Sequence, residues 1–205
     1  MDLAGRINGT LRQVPAWPLY CLAAGWAGWL FYLGATGGLG VEPIEALEHR
    51  YGELALQALI LSLAVTPLRR FAGINLLKFR RALGLIAFFF VLAHFLVWAL
   101  LDVQAVSAIW ADIVKRPYVT VGMAGFVLLI PLAITSNNLS LRRMGAAAWR
   151  KLHKLAYPAA LLGAVHFVWL AKGFQIEPLV YLAVVLGLLA TRLPSRPRRT
   201  QQSAA

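Results

Sequence analysis

From Ala82 to Leu101 the chain reads ALGLIAFFFVLAHFLVWALL, a run without a charged residue and as long as the roughly 20 residues a helix needs to cross a bilayer. Backbone laid through hydrocarbon must satisfy its own hydrogen bonds, and a single run of this kind does so only as a helix. Similar runs recur along the sequence. With 60% of its 205 residues hydrophobic, the chain has more apolar surface than a soluble domain of this size could bury. The expected fold class is all-α: a polytopic membrane protein built as a bundle of six transmembrane helices.

Taken in order, residues 1–14 form a short polar lead with Arg6 and Arg12, and an uncharged run from Pro15 to Gly34 follows. That run exceeds the apolar core of a signal peptide, about 7 to 15 residues, so it reads as a retained first span. The glycines at 37, 38 and 40 and the acids after them mark Thr36 to Glu53 as a connecting loop with a surface turn of helix. Further spans are expected at Tyr51 to Leu68, Ala82 to Leu101, Tyr118 to Ser136, Trp149 to Trp169, and Pro178 to about Leu193. The spacing of Val106, Ile109, Trp110 and Ile113 suits a short helix lying in the membrane interface. Residues 15–193 thus make up the transmembrane domain, and 194–205 read as a disordered tail.

Basic residues give the orientation. Of the twenty Lys and Arg, sixteen fall on one side of this map and four on the other, which places both termini of a multi-pass protein in the cytoplasm. Seven of the eight acids fall on the opposite face, either because they collect where basic residues are avoided or because a mildly acidic face helps a partner dock, the first reading being the more economical. The formal charge of +12 comes from short clusters between apolar runs, not from a continuous face that could track phosphates, so no nucleic-acid partner is expected. The single cysteine, Cys21, excludes an internal disulfide, a multi-cysteine iron–sulfur site and a C-x-x-C-H haem attachment.

Three of the four histidines lie in or at the edge of predicted spans, where an imidazole carries a cost that function has to justify. His94 follows Arg81 by thirteen residues and His166 follows His153 by thirteen. At 1.5 Å per residue, His94 and His166 both come out about 20 Å above the cytoplasmic edge, at one level on two helices. Two neutral imidazoles facing each other across a bundle are the axial ligands of a low-spin b-type haem. Thirteen positions turn a straight helix by about 220°, so His153 and His166 share a face only if the helix bends, and Pro158 lies between them. His153 sits beside Arg150, Lys151 and Lys154, and its level on the third span is taken by Arg80 and Arg81, suited to haem propionates or a flavin phosphate. His49, in the acidic loop, reads as a surface residue. Phe90, Phe95, Trp98, Phe167 and Trp169 cluster near the level of His94 and His166 as an apolar pocket wall.

The strings GGLGVEP from Gly37, TPLRR from Thr66, FRRALGL from Phe79 with His94 after it, RPYVTVG from Arg116, AITS from Ala133, and W-x-x-L-H-x-x-x-Y from Trp149 with His166 downstream occur in order. In this the chain resembles the MsrQ (YedZ) family, the six-helix haem-binding membrane subunits of the bacterial periplasmic methionine sulfoxide reductase system, within the ferric-reductase-like transmembrane superfamily. The resemblance implies an electron conduit carrying b-type haem, one or two, with FMN as a further cofactor. It implies a quinone-pool or cytoplasmic flavin reductase donor and a periplasmic molybdopterin partner that reduces methionine sulfoxide in oxidised envelope proteins. By the same resemblance His94, His153 and His166 are haem-binding. Relatives with two stacked haems carry two histidines on the third helix; this chain carries one, so an inner haem would need an unusual second ligand.

No G-x-G-x-x-G nucleotide fingerprint is present, so electrons are expected from another molecule rather than from a nicotinamide bound here. A stand-alone ferric or oxygen reductase is the main rival reading. A transporter is disfavoured because the only Asp or Glu within a predicted span is Glu53, in the first turn of the second.

Overall fold

The computed structural model describes residues 3–171 and 174–192; the expected tail at 194–205 lies outside them. The described residues fold into ten α-helices, α1 Leu3–Gln13, α2 Trp17–Ala35, α3 Pro43–Phe71, α4 Arg80–Val97, α5 Val106–Lys115, α6 Pro117–Ile134, α7 Asn138–Met144, α8 Ala146–Leu152, α9 Ala156–Leu170 and α10 Ile176–Ala190. Three stretches, Pro43–Phe71, Leu77–Val103 and Pro117–Ile134, are long and apolar enough to cross a membrane by length and composition, and Ile176–Ala190 is a shorter apolar helix. The chain is a membrane protein with an apolar core and no fully buried polar residue among those described. Trp26, Trp29, Phe31, Leu61, Val127 and Leu186 point outward, about half exposed, as lipid-facing side chains do.

Helix starts follow local chemistry. Pro18, Pro43 and Pro117 stand in the first turns of α2, α3 and α6, where a missing N–H costs nothing. α7 begins at Asn137, whose side chain accepts the Ser140 N–H at 2.8 Å. α7 and α8 are separated by Gly145 at φ +77°, a conformation that a side chain would resist.

Several elements differ from the sequence reading. The polar lead is helical, and Asn8 ties α1 to the loop after α3 by donating to the Gly73 carbonyl at 2.9 Å and accepting the Asn75 N–H at 2.8 Å. α3 starts at Pro43, so the acids from Glu45 to Glu53 sit on its first turns rather than in a loop. The fifth apolar stretch is interrupted, but not at Pro158. A 3-10 turn at His153–Leu155 divides α8 from α9, because the ring of Pro158 would clash with the carbonyl of Lys154 in a continuous helix. The proline itself then sits in the first turn of α9, where it is tolerated. α4 passes into a π turn at Trp98–Val103 that ends at Gln104, φ +63°.

α3 packs along α4, α6 along α9, and α9 along α10, with α2 against the first pair. Few polar contacts join them. The Tyr51 hydroxyl donates to the Ala27 carbonyl at 2.7 Å, and Gln57 donates to the Tyr181 hydroxyl at 2.7 Å. Pro67, inside α3, leaves the Leu63 carbonyl without its helical N–H donor. Arg192 replaces it by donating from Nη2 at 2.6 Å, while Nη1 reaches the Tyr157 hydroxyl at 3.0 Å. Arg192→Leu should therefore lower stability by about 1–3 kcal/mol, the cost of an orphaned buried carbonyl. Thermal unfolding in detergent checks it, and an unchanged midpoint would count against this tie.

Candidate cofactor site

α3 and α4 on one side, and α6 and α9 on the other, enclose a cavity of about 650 Å³, within the roughly 300–1,000 Å³ usual for small-molecule and cofactor sites. His94 from α4 and His166 from α9 both line it. Their ring centroids lie 6.2 Å apart with the planes 75° to each other. Two imidazoles sharing one metal through bonds of about 2 Å would have their centroids about 6 Å apart. The two rings stand level with each other, as the count of residues along the two helices predicts.

Hydrogen bonds fix the tautomer of both rings. His94 Nδ1–H donates to the Glu48 carbonyl at 2.9 Å, and His166 Nδ1–H donates to the Tyr118 carbonyl at 2.7 Å. A carbonyl can only accept, so the ring proton of each lies on Nδ1 and Nε2 keeps its lone pair. That is the tautomer of a metal-ligating imidazole, with a backbone carbonyl as the outer partner that orients the ring and raises its basicity. Among the described residues no group of three or more His, Cys, Asp and Glu gathers as a metal centre. Two imidazoles are too few for a bare ion. They suffice for haem, whose macrocycle brings its own nitrogens.

The walls suit a flat apolar group. Phe95, Trp98 and Phe167 line the cavity as expected, joined by Phe126, which stacks on Phe95 with centroids 5.1 Å apart. Phe90 is instead buried against Tyr51, and Trp169 is 54% exposed, outside the lining. The polar part of the lining holds Glu45, Glu48, Glu53, Asp102 and Glu177, with His49 and Arg116. Arg116 pairs with Asp112 at 3.2 Å and approaches the Tyr118 hydroxyl at 3.4 Å. The contact with that hydroxyl is the main reason its guanidinium holds its proton more firmly than usual.

His153, Arg80 and Arg81 fall outside this cavity. The Thr135 hydroxyl donates to the Pro131 carbonyl at 2.6 Å, so it accepts from His153 Nε2–H at 3.0 Å. The His153 ring stacks on Trp149 at 3.7 Å between centroids. In this arrangement its Nε2 is a donor, unlike that of the other two rings. Arg80 hydrogen-bonds the Thr66 hydroxyl, and Arg81 donates to Asn138 Oδ1 at 2.9 Å.

Sequence reading missed Gly52 and Gly122, the glycines against which the two rings rest, and the carbonyls of Glu48 and Tyr118. A backbone carbonyl leaves no mark in a sequence, and a helical glycine looks like any small packing residue.

Residues 51–164 match the model of the family described as ferric reductase like transmembrane component. Proteins named protein-methionine-sulfoxide reductase heme-binding subunit MsrQ from Brucella ovis, Brucella canis and Brucella suis are each 49% identical to this chain over 193 residues, covering 94% of it and 87% of the relative. No solved structure matches the chain.

Proposed function

This chain belongs to the ferric reductase like transmembrane family and, within it, to the MsrQ haem-binding subunits, and from that premise we propose that it is the membrane electron-transfer subunit of a protein-methionine-sulfoxide reductase system. In this reading it spans the bacterial inner membrane six times with both termini in the cytoplasm. It takes electrons from the quinone pool or a cytoplasmic flavin reductase and passes them to a periplasmic molybdopterin subunit that repairs oxidised envelope proteins.

The observation that carries the reading is the paired imidazoles, 6.2 Å apart in one cavity and both hydrogen-bonded through Nδ1. His94 and His166 would hold a b-type haem, and when bound it supplies a one-electron relay. The chain's own residues do the rest. The carbonyls of Glu48 and Tyr118 hold the Nδ1 protons in place, so neither imidazole has to change protonation as charge moves through the site. Phe95, Trp98, Phe126 and Phe167 keep the walls apolar, which restricts water. His153, Arg80 and Arg81 lie apart from this pair, and in this reading they serve the cytoplasmic side, toward a second haem or the phosphate of FMN.

The purified protein in detergent should show a reducible low-spin b-type spectrum. A quinol and a flavin reductase supplied in turn should distinguish the donors, and oxidation of the reduced pigment should require the soluble reductase subunit rather than ferric iron or oxygen alone. A colourless preparation would overturn the reading. Rapid turnover with a soluble acceptor and no partner would replace it with a stand-alone reductase.

A further inference from the structure

The two imidazoles are seated by the same small device, used twice. On α3, the Glu48 carbonyl accepts His94 Nδ1–H, and four residues on stands Gly52, where an added Cβ would lie 3.2 Å from His94 Nδ1 and 3.4 Å from Cε1. On α6, the Tyr118 carbonyl accepts His166 Nδ1–H, and four residues on stands Gly122, where an added Cβ would lie 2.9 Å from His166 Nδ1 and 3.0 Å from Cε1. In a helix the carbonyl of residue i already takes the N–H of residue i+4, which here is the glycine. Each imidazole therefore uses the second lone pair of an occupied carbonyl. To reach it, the ring must lie against the helix backbone one turn further along, in the space that any side chain other than glycine would fill.

Glycine inside a helix costs about 1 kcal/mol relative to alanine, so two of them, four residues after the two acceptor carbonyls, call for a reason. Neither ends a helix or takes a left-handed conformation, since both lie inside helices and are absent from the positive-φ residues. What they share is contact with an imidazole.

We propose that Gly52 and Gly122 are positioning residues for the histidine pair: by lacking a Cβ they let His94 and His166 keep their Nδ1–H bonds to the carbonyls one turn back, and so set the ring orientation and basicity of both ligands. The proposal rests on the reading of the two histidines as haem ligands. The two cradles are not equally tight. At Gly122 a methyl group comes within the distance that forces the ring to move; at Gly52 the ring need give only a few tenths of an ångström.

The test compares Gly52→Ala, Gly122→Ala and, as a control, Gly84→Ala, which adds a Cβ to open space on α4. Haem-to-protein ratio, low-spin fraction and midpoint potential are measured on each protein, together with the unfolding temperature of the haem-stripped chain. Gly122→Ala should lose about 10- to 100-fold in haem affinity or turn largely high-spin, as loss of an outer partner does. Gly52→Ala should stay low-spin with a shifted potential, and Gly84→Ala should match wild type. None of the stripped variants should unfold below the stripped wild-type chain, because each gains a better helix former and the added methyl disturbs only the seating of the rings. Should Gly122→Ala fail to fold, the potential of Gly52→Ala decides alone, a shift supporting the proposal and a wild-type value overturning it. Wild-type spectra and potentials in both variants overturn it while leaving the haem reading intact. A wild-type protein without low-spin haem removes the haem reading, and this proposal with it.

Discussion

His94→Ala and His166→Ala should each purify without a low-spin haem spectrum, with bound pigment reduced by more than the roughly 10- to 100-fold that loss of an outer partner alone costs. The expectation comes from the arithmetic of the pair. Each ring offers one nitrogen with a free lone pair, so removing either would leave one imidazole of the pair to hold the pigment, and the third histidine of the lining, His49, is exposed. Added free imidazole should partly restore the low-spin signal, because the space vacated by the side chain is shaped for that ring. His153→Ala should keep the signal, since that ring is bonded to Thr135 and stacked on Trp149 away from the cavity. A fall by half in haem content in this variant would mark a second haem. Retention of a normal low-spin spectrum by His94→Ala and His166→Ala would remove the assignment.

The second large effect lies in the seam between α9 and its neighbours. Ala159, Ala160 and Ala164 are buried to within 2% of complete, and Gly163 lies among them. Across the seam, a Cβ on Gly125 would already be in van der Waals contact with Leu162 and the Ala159 carbonyl, at 3.5 and 3.6 Å. Small residues at this spacing let two helix backbones approach closely, which is how helices associate where lipid offers no hydrophobic drive. Ala160→Leu should cost about 1–3 kcal/mol through overpacking and move α9 outward. Because α9 carries His166, the pigment should be lost along with stability. Leu186→Ala, on the half-exposed face of α10, serves as control and should change neither. Unfolding temperature and pigment content, measured on the same samples, read both effects. An Ala160→Leu protein with wild-type values of both would show that the seam is not close-packed.

Much of this was legible in the residues, and what escaped did so for identifiable reasons. The helical nature of the apolar runs was legible because a long uncharged run such as Ala82 to Leu101 has one structural solution in lipid, and three stretches are long and apolar enough to cross. That His94 and His166 stand level with each other followed from helical rise alone, which needs no knowledge of packing. Rotation about the helix axis was harder. The turn count warned that His153 and His166 would not share a face in a straight helix, and Pro158 suggested a break. The clash it causes falls four residues earlier, so the break sits at His153–Leu155. α1 was read as a polar lead because only four of its eleven residues are apolar; its place is fixed by Asn8 bonding a loop more than sixty residues away. The acids of Glu45 to Glu53 looked like loop composition, yet they ride on α3 and face the cavity, because an apolar helix extended past the membrane can carry polar turns. The cradle of each imidazole was invisible because its acceptors are backbone atoms.

The histidine pair is divided between halves of the molecule that leave the ribosome at different times. His94 is delivered with α3 and α4, while its counterpart waits for α6 and α9 to be made and inserted. A nascent chain halted between them offers one imidazole and half a pocket, and so no grip. If that pair holds the pigment, loading would be a checkpoint on completed biogenesis: only a chain whose late helices have docked onto its early ones would become coloured.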